Sequence, residues 1–92
     1  MPHEFDIPKR VADQGWRVKV FDKEVVEPPH VTVIFRTTRW RFGLRTGTFL
    51  DRVPPAREVP KELWEWLRAH SDELAAAWDR MYPHNPVRGA DE

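Results

Sequence analysis

The chain contains no cysteine, which excludes disulfides, a thiolate metal site and a cysteine nucleophile. No stretch approaches the ~18 apolar residues that a membrane span requires, and the N-terminus lacks the pattern of a secretory signal. Net charge is absent too: fifteen Lys and Arg balance fifteen Asp and Glu, so bulk charge steers the protein toward no class of partner. Glycine is sparse, with four residues in the chain. None of them builds a phosphate-cradling loop or a Gly-x-Ser-x-Gly elbow, and there is no paired-carboxylate motif. What is present is 92 residues, 40% hydrophobic and 33% charged. That is enough for one soluble domain with one small core, expected in the cytoplasm and without a cofactor.

Residues 1–14 mix charges and prolines without a period, and residues 83–92 carry prolines and a glycine. Both are expected to be flexible ends, leaving 15–82 as the folded domain. Its first half reads as strand. Trp16-Arg17-Val18-Lys19-Val20 alternates apolar and basic, Val31 to Arg36 is rich in β-branched residues, and Arg39 to Arg45 alternates most clearly. Thr46-Gly47 reads as a turn, with Thr48 to Arg52 as a short returning strand. Together these predict a four-stranded antiparallel meander.

Pro54-Pro55 ends the sheet, and Pro60 is placed to open a helix. Leu63, Trp66, Leu67, His70, Leu74, Ala77, Trp78 and Met81 then recur on one face. A single helix over this span would be about 33 Å long, longer than the ~23 Å of a seven-residue strand. Ser71 before Asp72-Glu73 reads as an N-cap, so the spacing favours two helices broken near His70-Ser71. The fold class is therefore α+β: an antiparallel four-stranded meander with one or two C-terminal helices packed on one face.

Strand parity distributes the charges. With Thr37-Thr38 as a two-residue hairpin loop, Phe35 faces Trp40, Val33 faces Phe42 and Val31 faces Leu44 on the covered side. The other side then carries Arg36 opposite Arg39, Ile34 opposite Arg41, and Arg45 beyond, joined by Arg17 and Lys19. Between Pro28 and Leu50 lie four arginines and no acid, whereas Glu58 to Tyr82 holds six acids against three bases. Zero net charge thus hides a basic sheet face and an acidic helical face. The plain account of Arg36, Arg39, Arg41 and Arg45 is a solvated sheet face. The functional account is binding of an anion, either nucleic-acid phosphate or an acidic protein surface.

His30 stands at the mouth of a strand after Pro28-Pro29, either as a general acid–base group or a ligand for a metal or small molecule, or as a loop histidine bonded to backbone. His70 lies on the apolar helical face, as a functional histidine or a satisfied helix-end one. The four histidines have no ligand spacing, so no metal site is expected. A metal-free ribonuclease could be assembled from His30, Arg39 or Arg41, and His70. Trp64 sits about 100° from the centre of the apolar stripe, and Tyr82 would share that edge on a continuous helix. Such a pair would either cover the sheet edge or anchor a partner.

Pro28-Pro29-His30 with Val33, then Thr46-Gly47, then Trp66, His70, Glu73, Leu74 and Trp78, form an ordered pattern over about Trp16 to Tyr82. It resembles a family of small bacterial proteins known as domain of unknown function four-one-six-zero. In that family a strand begins Pro-Pro-His-x-His-Val, and a later helical segment reads Trp-x-x-x-His-x-x-Glu-Leu-x-x-x-Trp. The family's second histidine is Thr32 here, which halves any histidine pair. The resemblance implies one half of a two-gene pair in the manner of toxin–antitoxin modules. The leading expectation is thus a non-enzymatic interaction module with a small protein partner. The alternative is a nucleic-acid-binding or ribonuclease-like module acting through the arginines. Oligomeric state is open.

Overall fold

Alternation in the sequence becomes alternation in burial. In the computed structural model, which describes residues 3–21, 28–53 and 55–87, Trp16, Val18 and Val20 are buried while Arg17 is exposed. This strand, β2 (Trp16–Val20), pairs antiparallel with β3 (His30–Phe35), which pairs with β4 (Thr38–Gly43). A two-residue strand, β1 (His3–Glu4), adds to the free edge of β2. The sheet is a four-stranded antiparallel meander in the order β1-β2-β3-β4.

The fourth strand is therefore N-terminal, and the expected return over Thr48 to Arg52 reduces to one bridge, Phe42 to Phe49. Pairing stops because the chain bends at Gly43. Its N–H donates to the Thr48 carbonyl, its carbonyl accepts from the Gly47 N–H, and Leu44 N–H turns to the Pro29 carbonyl. A Cβ at Gly43 would come 2.8 Å from Leu50 Cδ2 and 3.1 Å from the Thr48 carbonyl oxygen, so a side chain there would displace Leu50 and crowd the returning backbone.

Residues 3–14 are folded, contrary to the expectation of a loose segment. A short helix, α1 (Lys9–Asp13), follows β1, and Phe5 and Val11 are 4% and 2% exposed in the core. A two-residue strand and a five-residue helix are too short to show a period, so only packing reveals them. Beyond the helices, the chain to Val87 is also tied down. Trp78 Nε1 donates to the Asn85 carbonyl, and the Val87 N–H donates to Asp79 Oδ1 at 2.8 Å.

The β3–β4 turn is Arg36-Thr37 rather than Thr37-Thr38. Phe35 pairs with Thr38, Val33 with Trp40 and Val31 with Phe42. Relative to the expected register the strands have slid by two residues, which leaves the side chains that remain paired on their predicted faces. Arg36 adopts a left-handed φ of 58°, the sign that tight primed hairpin turns use. It therefore belongs to the turn, and the like-charged pairing of Arg36 with Arg39 does not form.

Helix α2 (Lys61–Ala69) and helix α3 (Ser71–Met81), preceded by a 3₁₀ turn at Ala56–Glu58, follow the sheet. The break falls where it was expected, with His70 at φ −109° and ψ 23° joining the two helices. His70, not Ser71, occupies the N-cap position of α3, and it makes no side-chain cap bond there. Leu63, Trp66, Leu67, Leu74, Ala77 and Trp78 meet Val18, Val31, Val33 and Phe42 in one core. Among the described residues no helix is long and apolar enough to cross a membrane.

Candidate functional site

The face of the sheet turned from the apolar residues carries Arg17, Lys19, Arg39 and Arg41 as strand parity placed them, whereas Arg36 lies in the turn and Arg45 beyond the end of β4. Glu4 of β1 receives Arg17 at 3.1 and 3.2 Å through two nitrogens, and Lys19 lies 3.8 Å from the same carboxylate. Arg41 donates to Asp51 through Nε at 2.9 Å and Nη2 at 2.6 Å. This forked pair is half-buried, with the side chains 36% and 29% exposed. The fork is the geometry in which guanidinium and carboxylate bind best.

The hydrogen bond from Arg41 holds the Asp51 carboxyl below its ordinary range, against the opposing effect of burial. The positive charge of Arg41 adds to the lowering. His30 itself is 2% exposed. Its Nδ1 lies 2.9 Å from the Pro28 carbonyl. A carbonyl only accepts, so Nδ1 carries the proton and, in the neutral ring, Nε2 is the acceptor. The ring rests on Trp78 at 5.4 Å between centroids. Thr32, where the resembling pattern has its second histidine, is 5% exposed and pairs across the strands with Arg41.

The other predicted arginines diverge. Arg36 projects from the turn with its guanidinium 5.1 Å from the Phe35 ring centroid. Arg39 lies 5.4 Å from the centroid of Phe21. Arg45 clamps the C-terminal segment, donating to the Val87 and Pro86 carbonyls at 2.9 and 2.7 Å and to Asn85 Oδ1 at 3.3 Å. Arg36, Arg39, Arg41 and Arg45 thus have four different surroundings and do not converge on a single anion.

His70 has a helix-end role. Its Nδ1 donates to the Trp66 carbonyl at 2.9 Å while its ring stacks on Trp66 at 4.6 Å. The same Trp66 carbonyl accepts the His70 N–H at 3.0 Å, so ring and backbone of His70 together close the C-terminal end of α2. Among the described residues no three His, Asp or Glu side chains gather as a metal-binding group. A general acid–base group must reach its substrate through a hydrogen bond, and the enclosed His30 ring presents no open approach.

The break at His70 separates Trp64 from Tyr82. Tyr82 stacks on Trp78 at 4.1 Å and donates its hydroxyl to the Phe21 carbonyl, which makes it a strut between α3 and the end of β2. Trp64 packs edge-on against Phe49 and Phe42 and donates Nε1 to the Ala56 carbonyl at 3.2 Å. It remains half-buried in an open groove of about 560 Å³ lined by Arg57, Val59, Lys61, Trp64, Glu65 and Arg68.

Two features escaped the sequence reading. The acid that answers Arg41 stands just beyond the acid-free stretch, at Asp51, and the acid that answers Arg17 lies in the N-terminal segment. The cations beside Trp64 had a readable signal: Lys61, Trp64, Glu65 and Arg68 recur at helical spacing on one exposed side of α2.

A family model described as a domain of unknown function (DUF4160) matches residues 15–79. No match was found among curated proteins or among solved structures.

Proposed function

The chain belongs to the family described as a domain of unknown function, DUF4160, and from that premise we propose that it is a non-enzymatic protein-interaction module. In this reading it works in the bacterial cytoplasm as one half of a toxin–antitoxin-like pair, and its partner is a small protein. One observation carries the reading. Arg17, Lys19, Arg41 and Arg45 are engaged within the chain, by Glu4, by Asp51 and by the C-terminal carbonyls. The half-buried aromatic Trp64, by contrast, borders an open groove. Interfaces are anchored by such residues, in which one side is packed and the other waits for a partner.

A second reading rests on Arg36 and Arg39, which are exposed and lie beside aromatic rings. Arginine beside an aromatic ring is also a means of holding single-stranded nucleic acid. The two readings separate in one experiment. The chain is co-expressed with each protein encoded beside it, treated with nuclease, and passed through size-exclusion chromatography with light scattering at low and high salt. A heteromeric complex that survives both conditions is the expected result. Elution of the chain alone in every case overturns the interaction reading. Binding of an RNA homopolymer that weakens steeply with salt, and is lost in Arg36→Glu/Arg39→Glu, establishes the second.

A further inference from the structure

We infer that the groove beside α2 is a docking site for an acidic segment of a partner protein that inserts an apolar side chain beside Trp64. This rests on the interaction reading above and assigns it a surface and a ligand chemistry.

Charge complementarity is the first argument. Three of the groove's six lining residues are cations, Arg57, Lys61 and Arg68, against one acid, Glu65. All three cations are exposed. Among the described residues no carboxylate forms an ion pair with any of them. The basic residues of β2 and β4 that pair with Glu4 and Asp51 present the contrast. Within an otherwise acidic helical region, a groove lining of three cations and one acid beside a partly covered indole matches a ligand that is negative and apolar at once.

The second argument is the state of the indole. Its N–H is engaged by the Ala56 carbonyl, its ring meets Phe42 and Phe49 edge-on, and the Arg68 guanidinium sits 5.1 Å from its centroid. A nucleobase would need to displace Arg68 to stack there, whereas an aliphatic side chain needs only the remaining edge and the adjoining space. Buried Val59 adds apolar floor to that space. These features favour a polypeptide over a nucleic-acid strand.

The third argument is extent. Arg68 also borders a second groove of about 480 Å³, in which Thr46, Gly47 and Thr48 face Ser71 at the start of α3. The two depressions share Arg68 in their linings, so an extended segment seated in the first, with its acidic side chains on Lys61, Arg57 and Arg68, has room to continue toward the second.

The test uses the whole chain and a short fluorescein-labelled peptide of alternating glutamate and leucine. The matching lysine–leucine peptide and a single-stranded oligouridine serve as competitors of other chemistry, and fluorescence anisotropy is the readout. The glutamate–leucine peptide is expected to bind, with affinity reduced about tenfold or more in Arg57→Glu/Lys61→Glu, because opposed charges become like charges at the rim. Trp64→Ala is expected to abolish binding, but this residue also packs on Phe49. The double charge reversal touches only exposed side chains, so it decides the matter if Trp64→Ala unfolds. Failure of the peptide to bind, or equal binding by the charge-reversed chain, overturns the assignment. So does preferential binding of oligouridine, which would give the groove to phosphate. A co-expressed complex left intact by Arg57→Glu/Lys61→Glu would sink this site while sparing the interaction reading, whereas absence of any complex with the unmodified chain would sink that reading itself.

Discussion

Arginine and lysine occur both on the sheet and around α2, in surroundings that differ in one respect. On the sheet, Arg17, Lys19 and Arg41 each meet a carboxylate from a neighbouring segment, and Arg45 holds the C-terminal backbone. Around α2, Arg57, Lys61 and Arg68 line a groove in which Glu65 is the one acid among the described lining residues. The first group joins parts of the chain that are distant in sequence: β1 to β2, β4 to the return segment, and the C-terminal segment to the bend after β4. In the second group Arg68 lies over the Trp64 ring of its own helix, and among the described residues none of the three pairs with a carboxylate. A basic residue is therefore informative about partners only after its internal contacts are known, because a forked, half-buried pair such as Arg41–Asp51 has little left to offer a ligand.

The sharpest way to break this comparison is to remove the joint on which both regions depend. Trp78 touches His30 of the sheet, Tyr82 at the end of α3 and the Asn85 carbonyl. Trp78→Ala is expected to cost about 3–5 kcal/mol. In so small a domain that approaches the whole stability, and urea denaturation would show the loss.

Removing a single carboxylate should have a smaller effect. Asp51→Asn is expected to destabilise by about 1–2 kcal/mol at neutral pH, since a forked, partly buried pair is lost. The sign of its pH dependence follows from the lowered pKa. The pair's contribution is complete above the ordinary carboxylate range and is lost as pH falls through the lowered folded value. Stability measured between neutral and acid pH should therefore fall more in the native chain than in Asp51→Asn. Parallel profiles would show that the pair contributes nothing.

The turn gives an effect of the opposite sign. Arg36 holds a positive φ of 58°, a conformation that costs a non-glycine residue roughly 1 kcal/mol. Arg36→Gly should raise stability by about 0.5–1 kcal/mol by thermal or chemical denaturation. A loss instead would mean that the contact with Phe35 outweighs the backbone strain. The smallest change is expected around α2, where Arg57→Glu/Lys61→Glu should alter stability by less than about 0.5 kcal/mol. A larger loss in that variant would place those cations with the structural ones and remove the difference between the two regions.

Much of this architecture was legible in the residues. Period-two alternation in Trp16–Val20 and around Trp40–Phe42 identified strands and their buried side, and the stripe from Leu63 to Met81 identified the helical face. The mismatch of lengths indicated the break near His70. These features are local, since each depends on a period that any short window displays. The histidines were half legible: bonding to backbone was one of two readings for His30, and a helix-end role one of two for His70. Contacts across long separations were not legible. The pairing of β1 with β2, the slide of two residues at the β3–β4 turn, and the partners of Arg41 and Arg45 all depend on where distant segments arrive. A slide by two preserves every face, so hydrophobic pattern alone does not distinguish the registers. Sequence by itself therefore determined which residues form strands and helices and which way they face. Only the tertiary structure decided which charges are matched inside the chain and which remain for a partner, because an ion pair is fixed by proximity in space, on which residue order within a local window is silent.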